Sequence, residues 1–252
     1  MTQTAWNAPR VLVRLNSLAQ NLLSTYKQYN MPHDFSSLEA FLESIEMPNS
    51  IPDHEILQYS LDKYKDVIIK DDDSILLEFG VFNGFSITKI GNTYPHKRVY
   101  GFDSFYGLPE DWTGQFCKGT FTTGGNLPSV PSNVTLIKGL FGDTLPDFAK
   151  DHAGKFASLV HIDCDLYSST KCVFDHLGGT MIRPGTILVF DELFHYVNFK
   201  DHEFKALYEF LVEKDYDVEW IGLHGILNKR YDTNPELPGG SQRCACILKD
   251  RV

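Results

Sequence analysis

The chain has 252 residues, 42% hydrophobic and 22% charged, which is enough for one domain with a substantial core. Its formal net charge of -10 argues against a nucleic-acid-binding protein, because phosphate binding requires a basic surface. No apolar stretch approaches the roughly 20 residues of a membrane-spanning helix, and the first residues lack the pattern of a secretory signal. Five cysteines without a CxxC pair argue against a disulfide framework, so we expect a cytoplasmic protein.

Residues 1–70 show helical periodicity and no strong strand pattern. Apolar residues recur three and four positions apart in LEAFLESI (38–45) and again in HEILQYSLDKYKDVI (54–68). Prolines at positions 48 and 52 separate the two segments. We therefore predict a helical N-terminal cap or lid over residues 1–70 and a core domain over residues 71–252.

From Ser74 onward, short apolar runs alternate with helical segments. Strands are predicted in SILLEFG, RVYGFDSF, VTLIKGLF, FASLVHIDCD and GTILVFDEL, and two terminal strands in YDVEWIGLHGILNKR and RCACILK. Helices are predicted in VFNGFSITKIGNTY, LPDFAKDHAG, STKCVFDHLGGTM and HEFKALYEFLVEKD. This alternation predicts an α/β fold, with a mostly parallel, Rossmann-like sheet and helices on both faces.

The first strand-to-helix turn has the composition of a ligand-binding loop. EFGVFNG places Glu78, Gly80 and Gly84 around this turn, and Ser86 follows in the next helix. Glycine lets the backbone approach a ligand closely, and the helix start presents free N–H groups. Because G-x-G-x-x-G is absent, the turn suits a ligand without a pyrophosphate, such as S-adenosylmethionine.

The next two strand ends extend this candidate cofactor site. Asp103 ends the second predicted strand, where an acid can accept hydrogen bonds from ribose hydroxyls, and Ser104 follows it. Gly142 and Asp143 lie in GLFGDTLPDF after the third strand, where contacts to adenine are expected.

Carboxylates are concentrated after the fourth and fifth strands. HIDCDLYSST places Asp163 and Asp165 after one strand, and Asp191 and Glu192 follow the next. Such a concentration of negative charge is repulsive unless a cation or protons are present, and Mg²⁺ prefers oxygen ligands. His195 follows the second pair and is a candidate for orienting the substrate or assisting proton transfer.

The segments LLEFGVFNGFS, GFDSFYGLPEDW, KGLFGDTLP, HIDCDLYSST and PGTILVFDEL, in this order, resemble the macrocin O-methyltransferase family. These are metal-dependent enzymes that use S-adenosylmethionine to methylate sugar hydroxyls on antibiotics and other natural products. The resemblance covers roughly residues 74 to 195. It implies a class I methyltransferase core over residues 71–252, with an antiparallel terminal strand, and it allows a homodimer.

The resemblance also implies roles for individual residues. Asp163 corresponds to a metal ligand that also borders the cofactor, and Asp165 to the general base. Asp191 and Glu192 complete the metal site. Two positions depart from the family pattern, because Cys164 replaces a glycine and Glu192 replaces an aspartate. Glutamate is one methylene longer, and magnesium tolerates little distortion of its octahedron.

The sequence thus predicts an O-methyltransferase that acts on a small-molecule hydroxyl, most specifically on a sugar moiety of a natural product. A methyltransferase for catechol-like phenols would use a similar metal site. A protein that binds S-adenosylmethionine or a nucleoside without catalysis is the alternative outside enzymes. A nicotinamide or flavin reductase is disfavoured by the absence of G-x-G-x-x-G.

Overall fold

The computed structural model describes residues 33–114 and 116–252, so the first part of the predicted cap lies outside the described residues. Residues 34–70 contain three short helices, α1 (Leu38–Ser44), α2 (Ile56–Lys63) and α3 (Lys65–Ile69). The single helix predicted over residues 54–68 is interrupted at Tyr64, where ψ is 22°. The boundary between cap and core at residue 70 stays a prediction.

A seven-stranded sheet lies at the centre of the described chain. In sequence order its strands are β1 (Ile75–Phe79), β2 (Arg98–Asp103), β3 (Val134–Lys138), β4 (Ala157–Ile162), β5 (Ile187–Phe190), β6 (Tyr216–Leu223) and β7 (Cys244–Asp250). Their order across the sheet is β3-β2-β1-β4-β5-β7-β6. Only β7 is antiparallel to its neighbours, β5 and β6, among the described strands. The predicted α/β fold, including its antiparallel terminal strand, is confirmed.

Four longer helices connect the strands: α4 (Phe85–Thr93), α5 (Phe141–Asp151), α6 (Tyr167–Leu177) and α7 (Glu203–Lys214). Helix α4 begins four residues later than the predicted segment, because residues 81–84 form a turn that ends at Gly84 with φ of +82°. Helix α5 begins at Phe141, inside the predicted third strand, because β3 ends at Lys138.

Apolar side chains cover both faces of the sheet, which is why strands such as β1 are continuously buried. Ile75, Leu77 and Phe79 point to one face and share a core with residues of α1, α5, α6 and α7. Leu76 lies on the other face, in a core with residues of α2, α3 and α4. Two packed layers therefore hold the strand ends in fixed positions, including the ends that carry the candidate site.

The strand order reverses between β1 and β4. Strands β2 and β3 lie on one side of β1, and the strands that follow β4 in the chain lie on the other side. In open α/β sheets, ligands bind beyond the carboxyl ends of the strands at such a point. Within the described residues, no helix has the length and apolar character needed to cross a bilayer.

Candidate active site

A cavity of about 450 Å³ lies beyond the carboxyl ends of β1, β2, β4 and β5, a size typical of ligand sites. It brings together the majority of the predicted site residues: Gly80, Asp103, Ser104, Gly142, Asp163, Asp165, Asp191 and Glu192. It is also lined by residues that the sequence interpretation did not select, among them Phe82, Leu108, Phe121, Leu140, Ser168 and Cys172. Their apolar or small side chains gave no chemical signal in the sequence.

Asp103 stabilises the turn that follows β1. Its Oδ2 accepts hydrogen bonds from the backbone N–H groups of Val81 and Phe82, each at 2.8 Å, and its Oδ1 accepts one from Phe105 at 2.6 Å. The carboxylate predicted to bind ribose thus also holds the glycine turn in place. Ser104 lines the cavity beside it, with its hydroxyl donating to the Gly107 carbonyl at 3.1 Å.

Glu78 and Ser86 lie behind the cavity wall. Glu78 is fully buried, and its carboxylate accepts a hydrogen bond from the Ser86 hydroxyl at 3.0 Å and contacts His161 Nδ1 at 3.1 Å. Burial alone would lower the pKa of His161, but the hydrogen bond and charge of Glu78 raise it to about 9. Burial also raises the pKa of Glu78. Glu78 and His161 form a buried hydrogen-bonded pair beneath the site.

Asp165 is positioned by an unusual backbone conformation. Its φ is +63° and its side chain is nearly buried at the cavity wall. Burial and the nearby charge of Asp191 raise its pKa to about 7. Burial likewise raises the pKa of Asp163 well above its ordinary value. The two aspartates of HIDCDLYSST thus face the same cavity, as the sequence indicated.

Asp191 is held by an arginine that the sequence interpretation did not select. Arg243, which precedes β7, donates from Nε to Asp191 Oδ1 at 2.5 Å and from Nη2 to Oδ2 at 2.8 Å. Its Nη1 donates to Asp53 Oδ2 at 2.7 Å. Burial opposes ionisation of Asp191, but its hydrogen bonds with Glu192 and Arg243 lower its pKa below the ordinary value.

Three acids have a buried carboxylate oxygen without a hydrogen-bond partner among the described residues: Glu192 and Glu203 at Oε2, and Asp232 at Oδ1. Glu192 lines the cavity, and Glu203 lies close to it in the fold. Glu203, at the start of α7, is fully buried and accepts from the Thr170 hydroxyl at 3.3 Å. Burial raises the pKa of the Glu192 and Glu203 carboxyl groups well above the ordinary value. In the sequence, Glu203 looked like an ordinary polar position of an amphipathic helix.

The carboxylates fit a hard divalent cation such as Mg²⁺. Ligand atoms of Asp163, Asp165 and Glu192 all lie within 4.8 Å of one another, and those of His161, Asp163 and Asp191 do the same. Glu192, whose Oε2 has no hydrogen-bond partner among the described residues, belongs to the first group. The predicted ligands Asp163, Asp191 and Glu192 are thus divided between two groups that share Asp163. Both carboxylate oxygens of Asp191 also accept hydrogen bonds from Arg243.

His195 does not reach the cavity, contrary to our expectation of a loop residue that faces the site. Its Nδ1–H donates to the Ser241 carbonyl at 2.7 Å, and its Nε2 accepts from the Asn228 N–H at 2.8 Å. Both ring nitrogens therefore form hydrogen bonds with backbone groups of the loops between β6 and β7. Two further predicted residues, Gly84 and Asp143, also lie outside the cavity lining. Gly84 packs against Pro128, which would lie 3.0 Å from a β-carbon added at Gly84, and Asp143 is exposed.

Residues 77–193 match the family model described as a methyltransferase domain. Among curated proteins, none matches this sequence. The crystal structure of CalS11, a calicheamicin methyltransferase, is similar over 98% of this chain and 94% of that chain, with a TM-score of 0.55 and 18% identity. The O-methyltransferase NovP is similar over 77% of this chain and 79% of that chain, with a TM-score of 0.49 and 19% identity.

The likeness to CalS11 agrees with the strand order in placing the chain in the class I methyltransferase fold. The matched segment runs from β1 to the residues just after β5, and so contains every strand end that borders the cavity. Residues 77–193 therefore carry a methyltransferase domain, within a chain that has the class I methyltransferase fold.

Proposed function

We propose that the enzyme transfers the methyl group of S-adenosylmethionine to a hydroxyl oxygen of a small molecule, in particular of a sugar moiety of a natural product. The observation that carries this proposal is that one cavity joins Gly80 and Asp103 to Asp163 and Asp165. Gly80 and Asp103 would contact the cofactor, and the carboxylates of Asp163 and Asp165 would face the acceptor hydroxyl. The likeness to a calicheamicin methyltransferase supports a natural-product acceptor.

In the proposed reaction, Asp165 accepts the proton of the acceptor hydroxyl. The oxygen lone pair forms the new bond to the methyl carbon while the bond from that carbon to sulfur breaks. The bonding pair stays on sulfur, so the sulfonium becomes the thioether of S-adenosylhomocysteine. The fixed backbone of Asp165 contributes by holding its carboxylate in one position against the cavity.

We propose that Asp163, Asp191 and Glu192 hold Mg²⁺. Asp163 belongs to both groups of possible ligands, Glu192 to the group that includes Asp165, and Asp191 to the group that includes His161. When bound, the ion would stabilise the negative charge that develops on the acceptor oxygen. The pair of Glu78 and His161 lies behind Asp163, and the positive charge of His161 offsets part of the negative charge around that carboxylate.

The test combines binding and transfer. Calorimetric titration of the purified protein with S-adenosylhomocysteine, with and without Mg²⁺, measures the cofactor and metal sites. A screen of glycosylated natural products and catechols with S-adenosylmethionine labelled in the methyl group identifies the acceptor. We expect Asp165→Asn to retain S-adenosylhomocysteine binding and to lose about 100-fold or more in transfer rate.

Asp147→Asn is the matched control, because Asp147 is an exposed acid of α5 outside the cavity lining and has no predicted role in the site. It is expected to keep both binding and transfer. A fully active Asp165→Asn enzyme would contradict the role of Asp165, and a protein that does not bind S-adenosylhomocysteine would contradict the cofactor site.

A further inference from the structure

Arg243 connects the active site to two segments outside the methyltransferase match. Its guanidinium lies between Asp191, which follows β5, and Asp53, which precedes α2. Asp53 also accepts a hydrogen bond from the Ser241 hydroxyl, and Ser241 Oγ accepts one from the Arg243 N–H at 2.8 Å. Four contacts therefore fix this residue, whose side chain is only partly exposed.

The Asp191–Arg243 contact has the geometry of a bidentate pair, in which two parallel N–H groups meet the two carboxylate oxygens. Both Asp191 oxygens are thus engaged by a cation that belongs to the chain itself. The same residue is a ligand candidate beside Asp163. A divalent ion and the Arg243 guanidinium would therefore place positive charge against one carboxylate.

We propose that Arg243 is an internal counter-ion of the acid cluster, defined as Asp163, Asp165, Asp191 and Glu192, and that it competes with a divalent cation for Asp191. The proposal rests on the metal site of the proposed function and adds a mode of regulation to it. In the metal-free protein, Arg243 neutralises part of the cluster. When the cation binds, Asp191 turns from the guanidinium to the ion.

The anchoring of Arg243 gives this competition a structural consequence. Because Asp53 and Ser241 hold Arg243 independently of Asp191, release of Asp191 leaves Arg243 paired with Asp53 rather than unpaired. Metal binding is thereby linked to the segment before α2 and to the loop before β7. An arginine with only a structural role would instead strengthen the metal site by ordering Asp191.

Two measurements on the full chain separate these roles: calorimetric Mg²⁺ affinity and the melting temperature in EDTA. We expect Arg243→Met to melt at a lower temperature in EDTA, because Asp191 loses its partner, and to bind Mg²⁺ about tenfold more tightly, because the competing cation is gone. Arg243→Lys keeps the charge but cannot donate to both carboxylate oxygens in parallel. Its melting temperature in EDTA and its Mg²⁺ affinity should lie between those of the wild type and of Arg243→Met. This variant also provides the test if the methionine variant does not fold.

Arg251→Met is the matched control, since Arg251 is a partly exposed arginine just beyond the other end of β7, paired with Asp215 at 3.2 Å. It should lower the melting temperature and leave Mg²⁺ affinity unchanged. Unchanged or weaker Mg²⁺ binding in both Arg243 variants, or no Mg²⁺ binding in any of these proteins, overturns the proposal. Parallel titration with S-adenosylhomocysteine reports separately on the proposed function.

Discussion

A β-carbon on Gly80 would lie 1.6 Å from the carbonyl oxygen of Asp163, a distance that nonbonded atoms cannot adopt. Gly80 also has φ of +89°, which side-chain-bearing residues rarely adopt. The ends of β1 and β4 therefore approach each other through backbone atoms alone. Gly80 and Asp163 line the same cavity, so this close approach lies between the two halves of the active site.

We predict that Gly80→Ala is severely destabilising. The left-handed backbone alone costs about 1–2 kcal/mol for alanine, and the overlap with Asp163 forces the strand ends apart, so the total loss should exceed about 3 kcal/mol. Urea unfolding measures the free energy of unfolding. Gly154→Ala is the control, because Gly154 has φ of +84° and a β-carbon at that position would have no atom within 4 Å. Equal losses in the two variants would show that the approach to Asp163 imposes no constraint.

Asp103→Asn should also destabilise the protein. In asparagine, an NH₂ group replaces one of the two carboxylate oxygens and cannot accept a hydrogen bond. In one orientation the N–H groups of Val81 and Phe82 lose their acceptor, and in the other the N–H group of Phe105 does. Loss of charge-assisted hydrogen bonds of this kind costs about 2–3 kcal/mol. We further expect weaker S-adenosylhomocysteine binding, because the turn at Gly80 loses its support. Urea unfolding and calorimetry check the two effects.

Asp111→Asn serves as the comparison for Asp103. Asp111 is exposed and accepts a single backbone hydrogen bond, from Lys118 at 2.8 Å. Its substitution should change stability much less than that of Asp103 and should not affect cofactor binding. If both variants behave alike, the three hydrogen bonds of Asp103 contribute nothing beyond those of a surface aspartate.

Glu203→Gln should stabilise the protein increasingly as the pH rises. Burial and the charges of Asp165 and Asp163 raise the pKa of Glu203, so the folded state binds its proton more tightly than the unfolded state does. Above the unfolded pKa of about 4.3, the wild type therefore loses unfolding free energy with rising pH, by at most about 1.4 kcal/mol per pH unit, until the folded pKa is reached. Glutamine does not titrate, so the free energy of unfolding of Glu203→Gln rises relative to that of the wild type as the pH rises above the unfolded pKa.

Glu213→Gln, on the same helix, provides a control of opposite sign. Glu213 is exposed, and the hydrogen bond from Lys214 lowers its pKa. The wild type therefore gains stability relative to this variant as the pH rises through the titration of Glu213. Urea unfolding of the three proteins across the pH range gives both differences. A Glu203→Gln difference that is independent of pH would refute the buried, protonated carboxyl group.

The sequence predicted the fold and much of the site because both depend on local patterns. Apolar runs such as ILLEF in β1 indicate strands that are buried on both faces. The polar residues Asp163 and Asp191 directly follow such runs, and parallel strands bring their carboxyl ends to one edge of the sheet. The cavity residues at these ends could therefore be found without any long-range contact being known.

Arg243 and Glu203 could not be found in this way, because their roles depend on tertiary contacts. Arg243 reaches Asp191 only because β7 enters the sheet between β5 and β6, an arrangement that no spacing in the sequence specifies. Glu203 lies at the start of a helix whose buried face is otherwise apolar, so its burial against Thr170 has no signature in the hydrophobic pattern. His195 is the opposite case. It is close to Glu192 in the sequence and was expected to face the site, but its side chain packs against the loops that contain Asn228 and Ser241.

His195→Ala tests this corrected position. The substitution removes the partner of the Ser241 carbonyl and of the Asn228 N–H and leaves a cavity beside Gly239, so we expect a loss of about 2–4 kcal/mol in unfolding free energy. Affinity for S-adenosylhomocysteine should stay the same, because His195 lies outside the cavity lining. His96→Ala, at an exposed histidine, should leave both quantities unchanged. Undiminished stability of His195→Ala together with lost cofactor binding would return His195 to the active site.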